Sequence, residues 1–214
     1  MAVLLAAAAF LPSGTAAARY LVAAPSGAGF VLRGAPGGAV LGRVGRQTAF
    51  GTPVVLGVVA RRHGWLGVTT DALPNGVVGW IDIRTARLSH TTISLRVSLH
   101  RRRLRLFDSG RVVRSFVIGV GSSSTPTPIG RFAVAEKLDG PGIGGAFGCC
   151  ILGLSAHQPH PPSWWDQTSQ WLVAIHGGGG LGSAVSAGCL HLAQQSLRYL
   201  MRIVPLGAPV FVAR

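Results

Sequence analysis

The sequence predicts a mainly β protein built from two domains. Apolar runs are short and are repeatedly broken by Gly and Pro, of which the 214 residues include 31 and 13. Only 12% of the residues are charged, whereas long surface helices need a polar face rich in charged side chains. The chain length and the hydrophobic content of 48% suffice for one sizeable core or two modest ones.

The first block of the sequence, residues 21–85, reads as a series of short strands. β-rich runs at 54–60, 65–69 and 77–83 are separated by turn residues, of which Pro-Asn-Gly at 74–76 gives the clearest signal. Trp65 and Trp80 fall on successive strands, and the packing of a small barrel core accounts for both side chains.

Three stretches of this block carry a family resemblance. VLRGAP at 31–36, GWLGV at 64–68 and GWIDI at 79–83 resemble the bacterial SH3-like domains. The resemblance implies an SH3-like barrel over residues 20–87, which would act as a wall-binding or spacer module. It supplies no catalytic group.

The N-terminus resembles a secretory signal peptide over residues 1–18. An apolar run from Ala2 to Phe10 is followed by small residues before Arg19, although no basic residue precedes the run. A signal of this kind implies a secreted or cell-envelope protein, in a membrane-proximal location. An apolar strand or an unstructured N-terminus is the alternative interpretation, and the run is too short to span a bilayer as a helix.

The chain carries a formal net charge of +14, from 20 Lys and Arg against 6 Asp and Glu. A nucleic-acid partner would explain this charge, but the basic residues are spread along the chain, with one local run at 101–103, and no nucleic-acid-binding motif accompanies them. Attraction to an anionic polymer such as a cell envelope fits at least as well. We therefore predict no nucleic-acid partner.

The second block, residues 93–214, begins after a polar segment at 85–93 that reads as a linker. Apolar residues then alternate with polar ones, with Leu95, Val97 and Leu99 on one face of a strand. Asp-Ser-Gly at 108–110 predicts a hairpin turn, and an extended arm with two prolines precedes a strand at 130–135.

One clear helix is predicted near the C-terminus, at 193–203. Leu197, Leu200, Met201 and Val204 share its apolar face. Pro205 ends this helix, and residues 207–213 read as a closing strand.

The strongest signal for function is AIHGGGGLGSAVSAGCLHL at 174–192. A thiol attacks a carbonyl only as its thiolate, and a neighbouring imidazole can take the proton and return it later. Cys189 and His176 supply these two groups. The backbone N–H groups of Gly188 and Cys189 would stabilise the oxyanion, and Gly188 permits the sharp turn this requires. Taken alone, Cys189 could equally be a small buried hydrophobic residue.

At these residues a second resemblance becomes specific. His176-Gly177, followed by Ser186-x-Gly188-Cys189, resembles the signature of the YkuD-type L,D-transpeptidases. VGSSSTPTPIGRFAV at 120–134 and LRYLMRIVPLGAPVFV at 197–212 are similar to other segments of that family. GCCILGLS at 148–155 is similar to an actinobacterial subset that carries an SH3-like domain.

The resemblance implies a YkuD-like β-sandwich catalytic domain at 93–214 with one or two short helices. It implies Cys189 as the nucleophile, His176 as general base and acid, and the carbonyl of Gly177 as the group that orients the imidazole. Ser186 and Gly188 would shape the pocket and the oxyanion site. No metal or organic cofactor is implied.

The implied reaction is a transfer between peptidoglycan stem peptides. Cys189 would attack the third residue of a tetrapeptide stem, release D-alanine and pass the acyl group to a second stem as a 3→3 cross-link. Carbapenem-type β-lactams would acylate the same thiol. The alternatives are a carboxypeptidase that uses water as the acceptor and a non-catalytic wall-binding protein.

Three positions depart from the family pattern. Gly178 stands where Thr is frequent, Ala187 where His is frequent, and His191 where Arg is usual. The change at His191 leaves a weakly active or inactive member as an alternative. His191 either assists proton transfer or has a structural role beside Cys189.

Other residues with reactive or aromatic side chains are interpreted more plainly. Cys149 and Cys150 read as core residues or a strained redox pair. His157 and His160 lie among prolines, where a solvated loop that covers the site is favoured over a metal site. Core packing is the default role for three further tryptophans, with a substrate platform as the alternative: Trp164, Trp165 and Trp171.

Overall fold

The computed structural model describes residues 17–143, 145–163, 165 and 172–214, which fold into three sheets. The predicted signal peptide lies almost entirely outside the described residues, as do Trp164 and Trp171. Within the described ranges, no helix combines the length and the apolar character needed to cross a membrane. The prediction of a mainly β fold is confirmed.

The N-terminal sheet consists of seven strands joined by antiparallel pairings. In chain order they are β1 (Tyr20–Pro25), β2 (Phe30–Arg33), β3 (Val40–Val44), β4 (Leu56–Arg62), β5 (Trp65–Thr69), β6 (Gly79–Asp82) and β7 (Ala86–Thr91). Their order across the sheet is β3-β2-β6-β5-β4-β1-β7. The SH3-like resemblance of this part of the chain stays a prediction.

The interpretation of residues 85–93 as a linker is wrong for most of its length. β7 pairs antiparallel with β1 through six residues, from Tyr20 opposite Thr91 to Pro25 opposite Ala86. β7 is an edge strand whose side chains are mostly exposed on both faces, so no alternation of apolar residues marks it. Backbone hydrogen bonds rather than side-chain burial hold such a strand.

The tryptophans of this sheet do not form its core, in contrast to the prediction. Trp65 and Trp80 are both partly exposed, and each lies under a guanidinium group, that of Arg33 at 6.0 Å and that of Arg62 at 5.6 Å from the ring centroid. The apolar bodies of these rings therefore support charged surface residues. The core is built from aliphatic residues and one phenylalanine, including Phe30, Leu32, Leu66, Val68 and Ile81.

The remaining strands form an eight-stranded sheet and a two-stranded one. They are β8 (Ile93–Ser98), β9 (Arg103–Asp108), β10 (Arg111–Val117), β11 (Val120–Gly121), β12 (Gly130–Asp139), β13 (Cys150–His157), β14 (Leu172–Gly177), β15 (Ala184–Ser186), β16 (Leu190–Leu192) and β17 (Pro209–Ala213). The larger sheet has the order β10-β9-β8-β17-β12-β13-β14-β16, and β11 pairs with β15.

Local sequence signals predicted several of these elements correctly. Ser109 and Gly110 both have positive φ, 51° and 85°, in the two-residue turn between β9 and β10. This is the geometry that twisted hairpins prefer. Helix α2 (Gln194–Ile203) buries Leu197 and Leu200 completely, so its apolar stripe packs on the core of the larger sheet. A short helix, α1 (Gly140–Ile143), follows β12.

His157 joins the two large sheets, which corrects its placement in a solvated loop. It is the last residue of β13, and its N–H donates to Asn75 Oδ1 at 2.8 Å while its carbonyl accepts from Asn75 Nδ2 at 2.7 Å. Its Nε2 donates to the carbonyl of Asp71 at 2.7 Å. His160, three residues further on, is exposed.

Glu136 is a buried carboxyl group on β12. Its side chain is 1% exposed, and neither carboxylate oxygen has a hydrogen-bond partner among the described residues. Burial raises its pKa above the ordinary value, and the nearby hydroxyls of Thr52 and Thr48 offset this only in part. A group whose pKa is raised on folding stabilises the fold below its unfolded-state pKa. That stability is lost as the pH rises through the folded-state pKa.

We expect Glu136→Gln to stabilise the protein at pH 7, because the neutral amide removes the cost of burying a charge. Urea unfolding should show a higher midpoint for the variant at pH 7, and the difference should disappear at pH 4, where Glu136 is protonated. An unchanged or lower midpoint at pH 7 would contradict this account of Glu136.

Candidate active site

Parallel pairing of β14 with β16 creates the site. The register places Ile175 opposite Leu190 and His176 opposite His191. Cys189 directly precedes β16, so the alternation of side chains puts it on the same face as His191 and diagonally across from His176. His176 and Cys189 are thirteen positions apart in the sequence. The short pairing of β14 with β16 brings them together.

The imidazole of His176 is buried and held in one tautomer. Its side chain is 7% exposed, and Nδ1 lies 2.7 Å from the carbonyl oxygen of Gly177. A carbonyl only accepts, so Nδ1 carries the proton and Nε2 keeps a free lone pair. His176 is therefore arranged as a base at Nε2.

Cys189 is the free thiol of the described chain. Its Sγ accepts a hydrogen bond from the N–H of Ala174 at 3.4 Å, two residues before His176 on β14. Burial raises the pKa of the Cys189 thiol, and the Ala174 N–H lowers it by less. Burial also lowers the pKa of His176, while its bond to Gly177 raises it. Both shifts favour the neutral form of the group, the thiol of Cys189 and the uncharged imidazole of His176.

His191 lies against the base. Its ring centroid is 4.9 Å from that of His176, and its Nδ1 donates to the carbonyl of Gly179 at 2.9 Å. The charge of a protonated His191 would lower the pKa of His176 further. Gly178 makes room for this ring, since a side chain there would meet the imidazole of His191 within 2.7 Å.

Ser186 and Gly188 shape the turn before the thiol. The hydroxyl of Ser186 donates to the carbonyl of Cys189 at 2.6 Å and accepts from the N–H of Gly188 at 3.1 Å. Gly188 adopts a φ of 115°, a conformation that disfavours other residues. The Gly188 N–H was predicted as an oxyanion donor, but in this structure it is bonded to the Ser186 hydroxyl. The Cys189 N–H is the second donor of the predicted pair.

The proline-containing arm after β11 fastens this turn from outside. Thr127 Oγ1 donates to the carbonyl of Gly188 at 2.8 Å, and Thr125 Oγ1 donates to that of Ser186 at 3.0 Å. The pairing of β11 with β15 sets the arm beside the turn, with Gly121 opposite Ser186. The arm therefore supplies two threonines that hold the turn before Cys189, which we call the nucleophile turn (residues 186–189).

Gln158 is a residue of the site that the sequence did not reveal. It is 4% exposed, and its Nε2 lies 2.8 Å from the carbonyl of Ala187, 3.2 Å from that of Thr125 and 3.3 Å from that of Pro126. One amide thus connects the nucleophile turn to the arm. A Cβ at Gly188 would overlap this amide, which gives a second reason for glycine there. No motif distinguishes a glutamine in a proline-rich segment.

A second wall of the site comes from the segment before β13. Phe147 meets the ring of His176 edge-on, with centroids 5.0 Å apart. Cys149 and Cys150 are joined by a disulfide, and the N–H of Cys149 donates to Gln194 Oε1 at 2.8 Å. The Gln194 amide fills the space that Gly177 leaves by lacking a Cβ. This wall therefore supports the residue whose carbonyl orients His176.

Comparison with known proteins gives a family match over the same part of the chain. The family model for the L,D-transpeptidase catalytic domain, YkuD, matches residues 93–212. The YkuD protein of Bacillus licheniformis is 33% identical over 119 residues, which are 54% of this chain and 62% of the relative. The YkuD protein of Bacillus subtilis is 31% identical over 121 residues, or 55% and 64%. The chain thus spans less than two thirds of the length of these relatives.

Solved structures with similar folds include an L,D-transpeptidase from Mycobacterium smegmatis, with 17% identity, a TM-score of 0.44, and coverage of 75% of this chain and 90% of that one. L,D-transpeptidase 3 from Mycobacterium tuberculosis, in complex with a faropenem-derived adduct, has 15% identity, a TM-score of 0.45 and coverage of 64% and 73%. The L,D-transpeptidase LdtMt1, in complex with imipenem, has 21% identity, a TM-score of 0.40 and coverage of 64% and 73%.

We expect Gln158→Met to loosen the nucleophile turn, because the carbonyls of residues 125, 126 and 187 lose their shared donor. These hydrogen bonds are only partly buried, and a typical intramolecular hydrogen bond contributes about 1 kcal/mol, so the free energy of unfolding in urea should fall by about that amount. Alkylation of Cys189 by iodoacetamide should become faster as the turn opens. Gln195→Met, at an exposed position of α2, is the matched control. Equal unfolding free energies for the two variants would rule out a clamping role for Gln158.

The raised pKa of Cys189 predicts slow alkylation at neutral pH. With Cys149 and Cys150 joined, iodoacetamide under non-reducing conditions should add one adduct, and its rate should rise with pH to a midpoint above the ordinary thiol value of 9.0. The same chain in guanidinium chloride supplies the reference midpoint. A folded-state midpoint at or below that reference would show that the site stabilises the thiolate.

Proposed function

The chain belongs to the YkuD family of L,D-transpeptidase catalytic domains through residues 93–212, and on that premise we propose that it is a cysteine acyltransferase of peptidoglycan stem peptides. The observation that carries the proposal is the fixed tautomer of His176. With Nδ1 bonded to Gly177, Nε2 is the free basic atom of a ring whose diagonal neighbour is Cys189.

The first half-reaction makes an acyl-enzyme. His176 Nε2 takes the proton of the Cys189 thiol, and the sulfur attacks the carbonyl carbon of the third residue of a tetrapeptide stem. As the tetrahedral adduct collapses, the C–N bond to the terminal D-alanine breaks. His176 returns its proton to the departing amine, so D-alanine leaves and a thioester remains on Cys189.

The second half-reaction transfers the acyl group. The side-chain amine of the third residue of another stem attacks the thioester and loses a proton to His176. The C–S bond breaks, the 3→3 amide forms, and the proton passes from His176 to restore the Cys189 thiol. In both halves the developing oxyanion lies beside the backbone N–H groups of residues 188 and 189. The Gly188 N–H joins in only by leaving the Ser186 hydroxyl, to which it is bonded at 3.1 Å.

The neutral resting pair fits this chemistry. Burial disfavours both the thiolate and the imidazolium, so the proton moves as the sulfur attacks rather than before it. A strained β-lactam carbonyl is a substrate for the same attack, and we include carbapenem-type β-lactams among the proposed inhibitors. We further propose that the protein acts outside the cytoplasm, in the cell envelope, because that is where stem peptides are cross-linked.

The proposal predicts that Cys189→Ala abolishes turnover of a tetrapeptide stem and that His176→Gln slows it by at least about 100-fold, the usual contribution of a general base. Mass spectrometry should find a cross-linked dimer and free D-alanine with the unaltered protein, and one carbapenem adduct that Cys189→Ala lacks. Peptide mapping of the adduct to Cys189, with Cys149 and Cys150 still joined, is the control, since it excludes the other two sulfurs as the point of attack.

Two outcomes would contradict the proposal in favour of another function. A tripeptide without dimer would identify water as the acceptor and hence a carboxypeptidase. Absence of both adduct and product from the folded, unaltered protein would identify a non-catalytic member of the family.

A further inference from the structure

A row of basic side chains crosses the outer face of the larger sheet. Its members follow from the register: Arg105 on β9 is opposite Arg96 on β8, Arg96 is opposite Phe211 on β17, and Phe211 is opposite Arg131 on β12. Directly opposed residues share a face. Three guanidinium groups are therefore arranged across four neighbouring strands, with one aromatic ring among them. The Arg131 group at one end donates to the carbonyl of Val58 at 3.1 Å, so Arg96 and Arg105 are the members of the row that remain open to a ligand.

Aromatic rings hold these guanidinium groups in place. The Arg96 group lies 4.4 Å from the centroid of Phe107 and 5.8 Å from that of Phe211, and the Arg131 group lies 5.5 Å from that of Phe211. Such stacking restricts a long flexible side chain. The row is thus partly ordered before any ligand arrives.

Beside the row lies a groove of about 250 Å³. Arg101, Arg103 and Arg105 line it together with Arg96, Ser98 and Phe107, and no acidic residue does so. We call these lining residues the arginine groove. Like charges directly opposite each other destabilise a sheet, and in the described part of the chain the one ion pair, between Arg84 and Asp82, includes none of the groove residues. The groove therefore concentrates positive charge that the protein itself leaves uncompensated.

We propose that the arginine groove binds the phosphates of a linear phosphodiester polymer with a polyol backbone. The planar fork of a guanidinium matches phosphate oxygens in pairs, and a repeating anion fits a row of cations. Nucleic acid carries the same phosphates, but single strands also need open aromatic rings for the bases. Phe107 is 8% exposed, and guanidinium groups cover both it and Phe211.

The groove and the catalytic pair lie at opposite ends of the sheet order. The arginines belong to β8 and β9 and to the turn between them, whereas His176 and Cys189 belong to β14 and to the start of β16, with β17, β12 and β13 between. A polymer held in the groove therefore leaves the catalytic residues uncovered. The inference does not rest on the proposed reaction, and the two can fail separately.

The test is calorimetric titration of the full chain with poly(glycerol phosphate), using two triple variants that each remove three charges. Arg96→Gln, Arg103→Gln and Arg105→Gln together should weaken binding at least tenfold and lower the slope of log affinity against log salt by about 2–3, as expected for three lost phosphate contacts. The matched control replaces exposed arginines of the N-terminal domain with Gln at Arg46, Arg61 and Arg87, and should stay within about threefold.

A third variant and two further ligands complete the design. The triple variant Arg96→Lys, Arg103→Lys and Arg105→Lys keeps the net charge but removes the fork, and its affinity should fall between those of the unaltered protein and the groove variant. Equal losses in the groove and control variants would show that net charge alone acts. Tighter binding of an oligothymidylate of equal charge, or of vesicles of anionic phospholipid, would overturn the choice of polymer. Alkylation of Cys189 at an unchanged rate shows that each variant is folded.

Discussion

Three residue pairs between β14 and β16 bring the two candidate catalytic residues, His176 and Cys189, next to each other. They join the strand that ends in His176 and Gly177 to the strand that begins after Cys189. A parallel pair needs a crossover connection, and here the connection is the glycine-rich segment with β15 inside it. Because β15 pairs with β11, the crossover is itself fixed by a second small sheet. Without that support, the thiol would lie at the end of a mobile loop.

The residues around the pair are arranged in two layers that act on different atoms. The Gly177 carbonyl fixes the imidazole through Nδ1, and Phe147 and Gln194 pack behind it. On the other side, Thr127 and Gln158 hold the carbonyls of the turn before the thiol. His176 and Cys189 are therefore positioned by separate groups, so loss of one layer need not displace the residue that the other layer holds. Such independent support keeps reacting groups within a fraction of an ångström of their working geometry.

Sequence alone predicted the elements that local chemistry specifies. The turn at 108–110 follows from its glycine, and helix α2 follows from the spacing of its apolar residues. The strand β7 was missed because an edge strand needs no buried face, and Gln158 because its partners are carbonyl oxygens, which every residue has. The buried carboxyl of Glu136 was also missed, since its burial depends on contacts with residues far away in the sequence, such as Thr48 and Thr52. The roles of His176 and Cys189 were inferred from a motif, whereas their diagonal placement needed the register.

The disulfide between Cys149 and Cys150 reduces the number of cysteines that can act as a nucleophile. The chain has three cysteines, and this bond removes two of them from competition as nucleophiles. Cys189 then has no free thiol in the same chain with which to form a disulfide. Its own burial lowers the thiolate fraction, and oxidation as well as acylation proceeds through the thiolate. In the proposed reaction, the desolvation that disfavours the thiolate also limits its oxidation, until a substrate carbonyl next to His176 makes loss of the proton favourable.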